Sequence, residues 1–102
     1  MVHGTHNAIH DDRNESIIIY INGAFHVRNE AKISVFDSGY LVGDGIWEGL
    51  RLHNGQWTFI DEHLDRLFEA ARAIDLDIGL DREGVEKALF QVQHANSMHT
   101  DA

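Results

Sequence analysis

The apolar positions near the start of the chain fall into two short runs on either side of a turn. Residues 17–21 are all β-branched or aromatic, residues 24–27 form a second strand-like run, and Asn22 and Gly23 lie between them. Asparagine and glycine both tolerate the positive φ that the type I′ turn of a tight hairpin requires. This pattern predicts an antiparallel β-hairpin.

A second hairpin is predicted further along the chain. Residues 45–53 alternate between an apolar-rich set at even positions and a mixed set at odd positions, which indicates a strand with two distinct faces. Asn54 and Gly55 then turn the chain back into residues 56–60. Residues 32–36 also alternate and are interpreted as a short strand. Two hairpins together predict a small antiparallel sheet.

The hydrophobic period changes to that of a helix at Asp61, which is placed to cap the first turn. The apolar residues that follow recur three and four positions apart along one helical face: Leu64, Leu67, Phe68, Ala71 and Ile74. A second helix is predicted to start near Asp81, and its apolar stripe consists of Val85, Ala88, Leu89 and Val92. We therefore expect an α+β fold in which two helices pack on an antiparallel sheet.

Length and composition limit what the chain can be. Its 102 residues amount to one small domain, which we expect over residues 16–102 after a flexible polar tail at residues 1–15. The histidines of the tail match no metal-ligand spacing, so no metal site is predicted. A formal net charge of -9 argues against nucleic-acid and anionic membrane surfaces. The lack of cysteine fits a cytoplasmic protein, and no apolar run is long enough to span a bilayer.

Two segments of the chain have sequences that packing alone does not explain. Residues 36–51, with the sequence FDSGYLVGDGIWEGLR, contain four glycines and end in an aromatic residue, a carboxylate and an arginine. Residues 62–67 have the sequence EHLDRL. Together these segments resemble the N-terminal domain of class IV (fold-type IV) aminotransferases, which depend on pyridoxal 5′-phosphate (PLP). That family includes branched-chain and D-amino-acid aminotransferases and aminodeoxychorismate lyase.

The resemblance assigns the first candidate residue, Arg66, to the cofactor. In the family the arginine of this motif binds the phosphate of PLP, and a guanidinium is suited to that task because it forks onto phosphate oxygens. The pattern alone supports a plainer alternative, in which Arg66 pairs with Glu62 one turn earlier on a solvated helix face. Both hold if that polar face lines a cleft.

The resemblance also implies a substrate pocket. The family places an aromatic residue, usually Phe or Tyr, at the position of Trp47 and another aromatic at the position of Val42, so both residues are predicted to shape the pocket. Gly49 shares the predicted strand face of Trp47 and joins this set. From alternation alone, a tryptophan buried in the core is the better interpretation of Trp47. The two departures from the family pattern shift volume within one pocket.

Arg51 completes the candidate site. It ends the segment EGLR, which is similar to a segment of the branched-chain enzymes. A buried arginine must be paired, so Arg51 either binds a substrate carboxylate or pairs with a structural acid such as Glu48 or Asp44. The glycine run matches neither the phosphate-binding P-loop nor the dinucleotide fingerprint, and tight backbone turning is the preferred interpretation.

No catalytic residue is predicted within this chain. Lys32 and Lys87 are the only lysines, and neither lies in the family segment that holds the catalytic lysine, which comes later in the family's sequences. The resemblance thus implies the N-terminal part of a homodimeric enzyme that moves an amino group from an amino acid to a 2-oxo acid, inactive alone, with branched-chain-like specificity. The alternatives are a D-amino-acid or amine transaminase, a lyase on the same scaffold, and a non-catalytic binding or dimerisation module.

Overall fold

The computed structural model describes residues 9–102. These residues divide into two units, with the boundary between Ala31 and Lys32. The first unit contains β1 (Ile18–Ile21) and β2 (Ala24–Val27), flanked by the 3₁₀ helices Asp12–Asn14 and Arg28–Glu30. The second unit contains α1 (Ser38–Val42), β3 (Leu52–His53), β4 (Gln56–Trp57), α2 (Ile60–Ala73) and α3 (Arg82–Ala95). The predicted flexible tail falls largely on residues 1–8, which lie outside the described residues. No helix within residues 9–102 is both long and apolar enough to cross a membrane.

The first predicted hairpin is confirmed. Strands β1 and β2 are antiparallel, with Ile21 opposite Ala24 next to the turn. Asn22 and Gly23 adopt φ values of 50° and 86°, as a type I′ turn requires. On one face Tyr20 and Phe25 lie opposite each other, and their rings meet edge to face with centroids 5.5 Å apart.

The second hairpin is also confirmed, and the end of the chain extends it. Strands β3 and β4 pair around Asn54 and Gly55, which again have positive φ. Leu52 exchanges two backbone hydrogen bonds with Ala102, at N···O distances of 2.7 and 3.0 Å, and the N–H of Gly55 donates to the Thr100 carbonyl. The last residues therefore lie along β3. The two hairpins form separate two-stranded sheets rather than one sheet, and the α+β class is confirmed.

The predicted strand over residues 45–53 is correct in its faces and wrong in its length. Only Leu52 and His53 pair with β4. The Arg51 carbonyl accepts one further backbone hydrogen bond from Thr58, but the strand does not extend over residues 45–51. Exposure nevertheless alternates as predicted: Ile46, Glu48 and Leu50 are half-buried, whereas the odd positions between them are exposed. The segment is extended, with one inner face and one outer face.

The predicted strand over residues 32–36 is absent, and the helix that follows it was not predicted. The backbone turns at Ser34, whose carbonyl accepts from the N–H of Asp37. Asp37 then caps α1 by accepting from the N–H of Gly39, and Gly43 ends the helix in the left-handed conformation with φ 70°. An aspartate and a glycine six positions apart were the signal for this helix.

Helices α2 and α3 begin close to where the hydrophobic period predicts. Asp81 caps α3 by accepting from the N–H of Gly84, as expected for an N-cap. Asp61 does not cap α2, because that helix starts one residue earlier behind a left-handed Phe59, which leaves Asp61 in the first turn. The buried core is small, and its residues come from β3 and α2: Leu52, Leu64 and Ala71.

Candidate active site

Arg66 projects from the first half of α2 and pairs with a carboxylate from another segment. Its NH2 group donates to Oε2 of Glu48 at 2.9 Å. Glu48 lies on the inner face of the extended segment before β3. The alternative pairing with Glu62, one turn earlier on the same helix, is not found in the described structure. The partner of Arg66 thus comes from a different segment of the chain, although 63% of the Arg66 side chain stays exposed.

His63 approaches the same carboxylate oxygen. Its Nδ1 atom lies 2.6 Å from Oε2 of Glu48 and 3.0 Å from NH2 of Arg66. His63 and Arg66 share a helix face because they are three residues apart. With Glu48 ionised, Nδ1 must carry the proton and donate to the carboxylate, so the contact between Nδ1 and Arg66 joins two donors and is not a hydrogen bond.

These contacts stabilise the charged form of Glu48. The hydrogen bond from His63, followed by that from Arg66, lowers the pKa of the carboxyl group below its usual value, against an opposing effect of burial. Only 14% of the Glu48 side chain is exposed and 18% of the His63 side chain. A nearly covered carboxylate thus anchors two basic side chains of α2.

Because the pKa of Glu48 is lowered, its contribution to the free energy of unfolding is expected to be lost only at acidic pH. The contribution is fully present above the ordinary carboxyl value of 4.5 and is lost as the pH falls through the lower folded-state value. We expect the free energy of unfolding of the wild-type chain to fall more steeply below about pH 4.5 than that of Glu48→Gln. Urea unfolding at a series of pH values measures both slopes, and equal slopes would contradict the prediction.

Arg66 borders an open pocket of about 510 Å³, which is lined by Trp47, Glu48, Gly49 and Arg66. This volume lies within the range of small-molecule sites. Trp47 is 86% exposed, so it is not the core tryptophan that alternation alone favours. A Cβ at Gly49 would lie 3.6 Å from Cζ3 of the indole, and glycine therefore leaves that part of the ring open to the pocket.

Three of the five predicted site residues line this pocket: Trp47, Gly49 and Arg66. Val42 ends α1, is 77% exposed and lies outside the lining. Arg51 also lies outside it and is exposed, so the premise that it is a buried arginine is wrong.

Arg51 has a different electrostatic neighbour from the acids considered in the sequence. The pKa of Asp101 is lowered, chiefly because the backbone N–H of Asn54 donates to it, with smaller contributions from His53 and Arg51. Glu48, one of the acids considered as a partner, is instead taken by His63 and Arg66.

The arrangement is suited to an anion with a planar ring. The guanidinium of Arg66 has five N–H donors, and among residues 9–102 its one hydrogen-bond acceptor is Glu48. Arg66 and the exposed Trp47 line the same pocket. A phosphate on the guanidinium edge and an aromatic ring near the indole fit these groups.

Glu48 and His63 were not among the predicted site residues. Both left a signal in the sequence. Glu48 falls on the inner, apolar face of residues 45–53, where a carboxylate needs a partner. His63 precedes Arg66 by three positions, so the two side chains leave α2 on the same side.

Comparison with known proteins identifies the family. A family model described as amino-transferase class IV matches residues 45–100. The match includes all the residues that line the pocket. This chain belongs to the class IV aminotransferase family. Its α+β fold is likewise similar to that of a solved member, the branched-chain aminotransferase of Thermoproteus uzoniensis with norvaline, at a TM-score of 0.75 and 29% identity over 84% of the chain and 30% of that structure.

Curated relatives of this chain have two kinds of name, branched-chain-amino-acid aminotransferase and D-alanine aminotransferase. The chain is 40% identical over 85 residues to branched-chain-amino-acid aminotransferase-like protein 1 of Arabidopsis thaliana, covering 83% of the chain and 15% of that relative. It is 37% identical over 82 residues to the D-alanine aminotransferase of Listeria innocua, covering 80% of the chain and 28% of that relative. The chain thus spans less than a third of the length of these relatives.

Proposed function

We propose that this chain supplies the phosphate anchor and part of the substrate pocket of a PLP-dependent aminotransferase. The complete enzyme would move an amino group from an amino acid to a 2-oxo acid. The proposal rests on one observation: Arg66, the arginine that matches the family motif, lines an open pocket. Arg66 donates to Glu48 and lines the pocket together with Trp47 and Gly49.

Each residue has a defined task in this proposal. When bound, PLP supplies the electron sink for the substrate carbanion, and the protein supplies orientation and electrostatics. Arg66 binds the phosphate through charge-assisted hydrogen bonds. Trp47 forms a wall of the pocket, and Gly49 keeps the indole open. Val42 and Arg51 lie outside the pocket lining described above. Both are proposed to contact the substrate in the complete enzyme.

The 102 residues alone are proposed to be inactive. A lysine that forms an imine needs a desolvated site that keeps its amine neutral. Lys32 and Lys87 are both exposed and neither lines the pocket. In the family the catalytic lysine comes later in the sequence.

A branched-chain-like substrate is preferred because the segment EGLR at residues 48–51 resembles that of the branched-chain enzymes. The D-alanine relatives keep a D-amino-acid transaminase open as the alternative. A lyase and a non-catalytic module remain further alternatives.

We also propose that the enzyme is a cytoplasmic homodimer. Large apolar side chains between residues 33 and 47 are unusually exposed, which is typical of a surface that another chain or domain covers. They are Ile33, Val35, Phe36, Tyr40, Leu41, Val42 and Trp47. The same surface would also serve the alternative of a non-catalytic dimerisation module.

The proposed function is tested by the intact mass of the purified protein, its visible spectrum after addition of PLP, and transamination assays with L- and D-amino acids. Where the intact mass exceeds the 11.6 kDa of these 102 residues, we expect a cofactor absorbance band and transfer from branched-chain L-amino acids to a 2-oxo acid. Transfer from D-alanine instead would select the D-amino-acid alternative. A protein that extends beyond these 102 residues and shows neither a cofactor band nor transamination would contradict the aminotransferase proposal.

A further inference from the structure

We propose that Glu48 and His63 form a positioning pair that pre-organises Arg66 for phosphate binding. The inference rests on the proposed function, because it concerns the same arginine. It assigns a role to two residues that line or adjoin the pocket without being its anion-binding group. Glu48 reaches Arg66 from the extended segment before β3, and His63 reaches Glu48 from the helix that carries Arg66.

The side chains of Glu48, His63 and Arg66 differ in their exposure to solvent. The Glu48 and His63 side chains are 14% and 18% exposed, whereas that of Arg66 is 63% exposed. A free arginine side chain samples many rotamers, and ordering it at the moment of binding reduces affinity. Glu48 restrains the guanidinium before the ligand arrives, so less of that entropy is lost on binding.

One carboxylate oxygen makes both contacts. Oε2 of Glu48 accepts from Nδ1 of His63 at 2.6 Å and from NH2 of Arg66 at 2.9 Å. The hydrogen bond from His63 fixes where that oxygen lies. The oxygen in turn holds one edge of the guanidinium and leaves the other donors of Arg66 available to an anion.

Because Glu48 is negatively charged, a positioning role and a purely electrostatic role predict opposite effects of its removal on phosphate binding. A carboxylate beside a phosphate repels it. If Glu48 were only a nearby negative charge, its removal would strengthen phosphate binding. If it positions Arg66, truncation weakens binding even though the repulsion is removed. Because a single oxygen makes both contacts, the amide oxygen of glutamine can take its place.

The test uses the full chain and pyridoxine 5′-phosphate as the probe, because this compound lacks the aldehyde and cannot form an imine with a surface lysine. We expect Glu48→Ala to raise its dissociation constant about tenfold, and Glu48→Gln to leave it within twofold or lower it. Glu62→Gln is the matched control, because it removes the same charge from an exposed position of α2 and is expected to have no weakening effect. Unchanged or tighter binding in Glu48→Ala would overturn the proposal.

A second measurement needs neither a ligand nor a variant. The heteronuclear NOE of the Arg66 Nε–Hε group reports its order in the wild-type chain, and exposed Arg72 of the same helix is the internal reference. We expect Arg66 to be markedly more ordered than Arg72, and equal mobility would overturn the proposal even if Glu48→Ala failed to fold. Failure of the proposed function is distinguished by Arg66→Ala: if that variant binds the probe as the wild type does, the phosphate is not at Arg66.

Discussion

Replacing Arg66 with alanine is expected to weaken the binding of PLP by about 10- to 100-fold. Hydrogen bonds to a charged group contribute about 1.5–3 kcal/mol each, and about 1.4 kcal/mol corresponds to a tenfold change in affinity. The substitution removes the guanidinium that borders the pocket and leaves Glu48 with His63 as its remaining partner. Fluorescence or absorbance titration of the purified protein with PLP measures the change.

Two further variants make the Arg66 result interpretable. Arg66→Lys keeps the charge and loses the planar fork, so an intermediate loss of affinity is expected. Arg72→Ala removes a positive charge from the exposed last turn of the same helix and is expected to leave affinity unchanged. An affinity loss as large in Arg72→Ala as in Arg66→Ala would mean that only net charge matters. Unchanged affinity in Arg66→Ala would remove the phosphate role.

Gly55→Ala is expected to lower the free energy of unfolding by about 3 kcal/mol. Gly55 has a φ of 74°, which costs a side-chain-bearing residue about 1–2 kcal/mol. A Cβ at this position would also lie 2.8 Å from the carbonyl oxygen of His99, and overpacking of this kind costs about 1–3 kcal/mol. The turn cannot easily move away, because the Gly55 N–H donates to Thr100 and its carbonyl accepts from Gln93.

Gly79→Ala is the matched control for the turn. Gly79 has a φ of 79°, but a Cβ there would meet no atom within 4 Å. The same backbone cost of about 1–2 kcal/mol should therefore appear without the clash. Urea unfolding of both variants separates the two effects. Equal losses in Gly55→Ala and Gly79→Ala would contradict the close approach of residues 98–100 to the hairpin.

Local sequence signals predicted the elements of this fold better than their connections. Asn22–Gly23 and Asn54–Gly55 predicted both hairpins because a type I′ turn depends on its own two residues. The apolar period and the aspartate cap predicted α3. The pairing of Leu52 with Ala102 could not be predicted, because it joins residues 50 positions apart through backbone groups that every residue has.

The sequence predicted Trp47, Gly49 and Arg66 as site residues, but it did not predict that Glu48 and His63 adjoin Arg66. Resemblance directed attention to Arg66, and strand alternation grouped Trp47 with Gly49. Helical spacing offered only Glu62 as an acidic partner of Arg66, as the alternative to phosphate binding, because no local rule brings Glu48 to α2. The position of Glu48 on the inner, apolar-rich face indicated such a partner, since a half-buried carboxylate there needs a donor.

The central claim is that a phosphate group binds at Arg66 beside Trp47 and Gly49. A crystal structure of the purified protein with PLP bound tests it most directly. The account predicts phosphate oxygens within hydrogen-bond distance of the Arg66 guanidinium, with the contact from Arg66 to Glu48 retained. A phosphate held elsewhere, with Arg66 bonded only to Glu48, would contradict the account.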